Sequence, residues 1–291
     1  MSITATQYFS DDAAAITPEA EDRFFAGLKT GNNTFKRTAN DRFKRLDDRC
    51  AEMFTSANVQ LSHVLDVGIS SGTTTLALSK RLALAGQTPR IVGTDLSLGA
   101  YLLDIFPGLR VLVDEQGLPL QYELLGRAVR AWIRRADYVT GIAILLALLR
   151  MLVKAPVRRH LRYRERSTRK LWLLSRALRD EPSITVERND IFQLTEKFIG
   201  RFDFIRAANI LNRGYFGEGD LRRALGNIVR YLSGPGAWLL VARSEGAKTA
   251  GTLFRVSPDG SRLIIMARVG VGSEIESLVL NTQMPTSDGA A

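Results

Sequence analysis

The sequence predicts an α/β fold: a mostly parallel open sheet, closed by an antiparallel C-terminal hairpin and carrying a helical insertion. Three observations lead there. Residues 63–97 read strand, helix, strand within some thirty positions, the βαβ unit from which a parallel sheet grows. Short apolar strands and amphipathic helices alternate again after residue 183. Between them, from about Leu124 to Arg179, runs an arginine-rich stretch with helical apolar spacing.

Taken in order, residues 1–20 are polar and read as a mobile start. From Glu19 to Leu28 and from Asn40 to Phe54 apolar residues recur at helical spacing, with the loop "KTGNNT" between. "HVLDVG" is a short buried strand, "TTTLALSKRLALAG" a helix ending at Gly86, and "RIVGTDLS" a second strand. "LRVLVDEQGLPLQYE" reads as two strands around a Gly-containing turn. "SITVERNDIF" and "RFDFIRAANIL" are strands, "GDLRRALGNIVRYLSG" a helix and "GAWLLVARS" the next strand. "GTLFRVSPDGSRLIIMARV" places a turn between two strands, a hairpin. A further strand is read in "EIESLVL". The expected organisation is an N-terminal helical region (1–60) covering the ligand site, a core (61–97 and 183–280), a hairpin plus a basic, apolar helical insertion (98–182) and a flexible tail (281–291).

At 291 residues and 45% hydrophobic, the chain can bury a sizeable core. Its single cysteine, Cys50, excludes an internal disulfide framework and a cysteine-based zinc site. Two histidines argue against a His-rich metal site, so no metal is expected. His160 sits in an arginine run and reads as solvated; His63 has no visible partner. The first residues lack a basic region followed by an apolar core, so a cytoplasmic protein is expected. The net charge of +10 is local. Arg127–Lys170 holds 13 basic residues against two acids, whereas the rest of the chain holds 27 against 28.

That basic segment is also apolar. Tyr138–Leu149 is twelve uncharged residues, which as a helix span about 18 Å, short of the roughly 30 Å hydrocarbon core. Apolar positions surround this helix, so one core-facing stripe does not bury them all. Two environments satisfy it: a sheath of neighbouring amphipathic helices, or an anionic membrane surface met by the basic residues of 127–170, with Trp132 and Trp172 at interfacial level. The second would place the protein peripherally at the inner face of the membrane. Nucleic acid ranks below both, because the arginines interleave with aliphatic rather than stacking side chains.

In an open parallel sheet, ligands sit beyond the carboxyl ends of the strands, near the point where strand order reverses. "HVLDVGISSGTTTLA", His63–Ala77, leaves its strand through Gly68, Ser70 and Gly72, small residues that let a ligand touch backbone amides. Asp95 ends the second strand, where a carboxylate can accept from both hydroxyls of a ribose. An adenosine-containing ligand is expected. The spacing D-x-G-x-x-x-G departs from the dinucleotide pattern G-x-G-x-x-G and no Walker lysine follows, which disfavours NAD and ATP.

At these residues the chain resembles the class I S-adenosylmethionine-dependent methyltransferases, whose first motif reads L/V-D-x-G-x-G-x-G. Leu65, Asp66, Val67, Gly68, Ile69, Ser70, Ser71 and Gly72 match it, with Ser70 in place of the middle glycine. The resemblance implies a Rossmann-like methyltransferase sheet and S-adenosyl-L-methionine as cofactor. It implies that Asp95, with Leu96 beside it, meets the ribose. Asp190 would meet the adenine amino group, with Ile191 beside the ring. Asn209, in the fourth strand Phe202–Leu211, would lie by the methionine part. "RYLSGPGAWLLVARS" resembles the family's fifth-strand turn and strand, Pro235-Gly236 making the turn. The likeness covers about Leu61–Val269, less Leu98–Pro182. "FDFIRAANILNRGYF" is similar to the F-D-x-I-x-C-R-N-V-L-x-Y-F of chemotaxis-receptor methyltransferases, with Ala208 replacing their arginine. That implies a shared scaffold and no receptor-glutamate substrate.

Structural roles stand beside the functional ones. Gly68 and Gly72 can serve a tight turn alone, Asp66 can orient that turn, and Asp95 can cap a helix. Asp190 can start a loop and Asn209 can be a turn residue. No general base declares itself, which methyl transfer governed by positioning tolerates. Three functions are expected in descending order. The first is S-adenosylmethionine-dependent methylation of an apolar or membrane-associated small-molecule acceptor, lipid-like in kind. The second is RNA methylation with the basic segment as phosphate-binding arm. The third is a non-catalytic adaptor on a degenerate methyltransferase fold.

Overall fold

The computed structural model describes residues 3–10, 16–29, 42–163, 168–245 and 248–285. Two short helices, α1 (Ala5–Tyr8) and α2 (Pro18–Gly27), precede α3 (Lys44–Ser56). Then come β1 (His63–Val67), α4 (Thr73–Leu84) and β2 (Arg90–Asp95). Four strands follow: β3 (Gly99–Phe106), β4 (Leu109–Asp114), β5 (Pro119–Leu124) and β6 (Arg127–Arg130). After α5 (Ile142–Tyr163) and β7 (Thr168–Trp172) come α6 (Arg176–Arg179), β8 (Ile184–Arg188) and β9 (Phe204–Ala208). The chain continues with α7 (Glu218–Tyr231), β10 (Trp238–Glu245), β11 (Lys248–Val256), β12 (Leu263–Val269) and α8 (Glu276–Leu280).

These elements form two compact units, one of residues 1–39 and 97–175, the other of 40–96 and 176–291. The segment read as one N-terminal region, 1–60, is thus divided between them.

The larger unit holds a seven-stranded sheet in the order β8-β2-β1-β9-β10-β11-β12. Its strands are parallel from β8 to β10, and β11 and β12 close it as antiparallel neighbours. This is the Rossmann-like architecture, with the C-terminal hairpin where the sequence places it. The inner parallel strands β1, β2, β9 and β10 are largely buried on both faces and so read as apolar runs, whereas β8 at the edge is partly exposed. On one face Leu65, Val67, Ile205, Leu239 and Val241 share a core with α7, whose Leu221, Leu225, Ile228 and Val229 recur at helical spacing. "EIESLVL" differs from its reading as a strand. Ile275, Leu278 and Val279 are buried at a helical interval and the segment is α8, tied down by Glu276 on Arg268 and Thr252.

On the other face, a charge is buried in the middle of the sheet. Arg206 of β9 lies in register beside Asp66 of β1. Its Nε and Nη2 donate to the two Asp66 oxygens at 2.9 and 2.6 Å, and its Nη1 donates to both oxygens of Asp47 on α3 at 3.0 Å. All three residues are at most 2% exposed. Thr75 of α4 completes the cluster, donating its hydroxyl to Asp66 at 2.7 Å. Burial opposes the Arg206 charge, but Asp66 and Asp47 outweigh it and hold the guanidinium above its ordinary value. Asp66 has the fork-like arrangement, whereas Asp47 shares a single nitrogen. Burial pushes the Asp47 carboxyl up to about 6, against the pull of Arg206.

The smaller unit contains the hairpin and the helix expected over 98–182 but has more strands than the sequence predicts. It is a five-stranded antiparallel sheet in the order β6-β5-β4-β3-β7, with one long helix. Strands β4 and β5 are where the sequence puts them, whereas β3, β6 and β7 were not legible. One face of this sheet (Leu102, Leu112, Leu120, Leu171) packs on Tyr8, Phe24 and Phe25 of α1 and α2. Residues 3–9, expected to be mobile, are therefore fixed: a Thr4–Gln7 capping box starts α1, and Tyr8 stacks on Phe24 at 4.4 Å. The other face (Leu103, Val111, Val113, Tyr122) packs on Leu146, Leu149, Val153 and Val157 of α5. No sheath of helices surrounds α5 among the described residues. His160 is also a correction. It is 7% exposed, with Nδ1 2.9 Å from the Pro156 carbonyl oxygen.

Removing one partner of a buried ion cluster leaves the others uncompensated. Arg206→Leu should therefore lose about 3–5 kcal/mol in urea unfolding at neutral pH. The Asp47 carboxyl adds a pH signature. It holds its proton to about pH 6 when folded, against about 3.9 unfolded. The stability it contributes is full below about pH 4 and lost as pH rises through about 6. Asp47→Asn should remove that slope, so the parent's stability falls relative to the variant over this range in thermal melts.

Candidate active site at the carboxyl edge of the parallel sheet

Strands β1, β2 and β8 run outward to one side, and the chain then returns to place β9 and β10 on the other. The order therefore reverses between β1 and β9, and a crevice beyond their carboxyl ends is the expected ligand position. The residues after β1, β2, β8 and β9 share that edge. It is roughly 14 Å wide across three strand spacings.

The turn from β1 to α4 is drawn against β2. Gly68 and Ile69 donate their amides to the Thr94 carbonyl at 2.7 and 3.0 Å, and Gly72 donates to Ile69 at 2.8 Å. Gly68 and Gly72 have φ of +76° and +81°, so an L side chain would be strained at either. Ser70 adopts φ +58° all the same. The Ser70 amide donates to Asp95 Oδ2 at 2.7 Å. The carboxylate after β2 is thereby held over the turn after β1, half-buried at the mouth of the crevice.

The structure brings Gly68, Ser70 and Asp95 to the same end of β1 and β2, Gly68 bonded to Thr94 and Ser70 to Asp95. Leu96 follows and is 49% exposed. The remaining residues singled out by sequence have other attachments. Asp66 faces away from the turn, into the Arg206 cluster. Asp190 follows β8 and closes a local turn, its Oδ1 accepting from the Phe192 amide at 3.0 Å. Ile191 packs into the core with α7, and its carbonyl accepts from Asn227 at 2.9 Å. Asn209 ends β9 at φ +62°, with its side-chain oxygen accepting from the Ser244 amide at 2.6 Å.

Sequence reasoning missed the residues that surround these positions. A Cβ at Gly72 would come within 2.1 Å of Leu178 Cδ2, and one at Gly68 within 3.3 Å of Ile210. The glycines thus admit close side-chain packing as well as an unusual backbone. Arg206 was missed too, although a charge inside "FDFIRAANIL" signals a buried partner.

As a donor set, the edge fits an adenosyl group. It offers a carboxylate at the end of β2 for a diol, and a turn of small residues at the start of α4.

Ser70 carries the strain of a left-handed backbone without glycine's freedom. Ser70→Gly should keep the amide contact to Asp95 and stabilise the chain by about 1 kcal/mol in denaturant unfolding.

No family model and no curated protein sequence matches the chain. Solved structures similar to it include the N-methyltransferase NodS from Bradyrhizobium japonicum WM9, in complex with S-adenosyl-L-homocysteine. There the identity is 16%, with 69% of this chain and 61% of that one covered, at a TM-score of 0.31. SAM-bound CalS10, an amino pentose methyltransferase from Micromonospora echinaspora, is 13% identical over 75% of this chain and 65% of that one, at 0.31. The DszA carbon methyltransferase is 15% identical over 78% and 40%, at 0.35. The chain spans between 40 and 65% of the length of these three proteins.

Proposed function

We propose that the chain binds S-adenosyl-L-methionine at the carboxyl edge of its parallel sheet and transfers the methyl group to a small acceptor, apolar or membrane-associated. The observation that carries the reading is the Ser70–Asp95 contact at the ends of β1 and β2, next to the reversal of strand order. It fixes a carboxylate beside a turn of small residues, and a carboxylate in that place can accept from a ribose diol.

In this reading Asp95 accepts from the ribose hydroxyls, with Leu96 flanking it. The turn of Gly68, Ser70 and Gly72 gives the ligand close backbone approach. Asp190 and Ile191 border the adenine end and Asn209 the methionine end. Asp66 acts from behind, positioning β1 and α4 through Arg206 and Thr75. When bound, the cofactor supplies an electrophilic methyl on a sulfonium. The protein's part is to orient the acceptor in line with it and exclude water, which needs no dedicated base. The acceptor class is supported by the apolar and basic composition of 127–170.

Calorimetry on the full chain with S-adenosylmethionine and S-adenosylhomocysteine tests the reading. Micromolar binding is expected, weakened about 10- to 100-fold by Asp95→Ala as a charged hydrogen bond is lost. Millimolar or absent binding, or full affinity in a folded Asp95→Ala variant, would reject the enzyme and favour the adaptor.

A further inference from the structure

Helix α5 uses only one side to hold the fold. Ala143, Leu146, Leu149, Val153, Val157 and His160 recur every three or four residues and are buried. The opposite side is apolar for the first half of the helix. Ile144, Leu145, Leu148, Met151 and Leu152 are between 48 and 74% exposed, and Val139 just before the helix is 89% exposed. The second half changes character, with Lys154, Arg158, Arg159 and Arg162 all exposed. With Arg150, the helix carries five basic residues and no acid. Asp137, the one acid among the described residues between Glu123 and Tyr163, is engaged by Arg130 and by the Arg134 amide.

We propose that this outer face of α5 docks on an anionic lipid surface, its leading half entering the interface and its trailing half meeting the headgroups. Three observations select that occupant. The antiparallel sheet already covers the inner face, so among the described residues the outer side chains are part of no core. The exposed apolar side chains of the outer face, from Ile144 to Leu152, span about 13 Å of helix. Among the described residues no helix is long and apolar enough to cross a membrane. A helix of that length with a basic continuation lies in the interface plane rather than spanning the bilayer.

Charge then separates lipid from the other occupants. A second copy of α5 would bring five more like charges against the first. Phosphates of a nucleic acid would pair with Arg158 and Arg159 but leave Leu148 and Met151 in water. A bilayer with anionic headgroups satisfies both halves, since arginine and lysine stems lie along the apolar boundary while their heads reach phosphate. The inference stands on α5 alone and does not need the cofactor reading.

Flotation of the full chain with phosphatidylcholine vesicles, with and without phosphatidylglycerol, is the test. The parent should float with the anionic vesicles, weakly with the neutral ones, and less as salt rises. Leu148→Glu with Met151→Glu places charge on exposed positions, so folding by circular dichroism should be unchanged while vesicle binding falls at least about tenfold. Arg158→Glu with Arg159→Glu should remove the preference for anionic lipid. The proposal is overturned if the parent does not float, or if the Leu148/Met151 variant floats as the parent does. It is equally overturned if the parent ignores vesicles yet binds single-stranded RNA, or forms a dimer that the Leu148/Met151 variant abolishes. S-adenosylmethionine binding measured on the same samples keeps this failure distinct from failure of the methyltransferase reading.

Discussion

A guanidinium buried in a sheet has to be answered by carboxylates, and Arg206 organises the larger unit through that demand. Its partners come from a neighbouring strand and from α3, and Thr75 of α4 joins the same carboxylate. Four elements are therefore tied at one point just behind the β1–α4 turn. The cost of burying these charges is offset only while every partner is present. That condition fixes β1, β9, α3 and α4 relative to one another more sharply than apolar contact would.

The turn in front of this cluster inherits its position. Asp66 is anchored behind the sheet, so Gly68 and Ser70 emerge from β1 at a set place and meet Thr94 and Asp95 of β2. The small residues answer two requirements together. Gly72 makes room for Leu178 and Gly68 for Ile210, while the positive φ angles turn the amides toward the β2 end. A motif that looks purely ligand-directed also serves packing. The feature on which the proposed ligand reading rests is the carboxylate of Asp95, held half-buried by the Ser70 amide.

The smaller unit follows a different logic. Alternation along β3 and β4 sends Leu102 and Leu112 to one face and Leu103 and Val111 to the other, and a bulge in β5 at Leu120 puts Leu120 on the first face and Tyr122 on the second. Each face is covered once, by the N-terminal helices and by α5. A helix apolar all round, lying on a single sheet, necessarily leaves half of its apolar side chains facing outward. Its second half is basic, so the outward face carries apolar and cationic surface side by side.

Local pattern was enough to determine the central strands of the parallel sheet, α4, α7 and the closing hairpin, because strands covered on both faces must read as short apolar runs. It also marked the carboxyl-edge residues Gly68, Ser70, Gly72 and Asp95, since a tight turn and an acid after a strand leave direct traces. Strands β3, β6 and β7 escaped notice. Arg127, Arg130, Arg169 and Lys170 blur the alternation of the latter two, and α8 was too short to separate from a strand by period. Only the tertiary structure decided that Asp66 belongs to Arg206, 140 residues away in sequence, that His160 is buried, and that α5 lies on a sheet with its other side open. Periodicity states which side chains must leave water; which surface receives them is set by contacts distant in sequence.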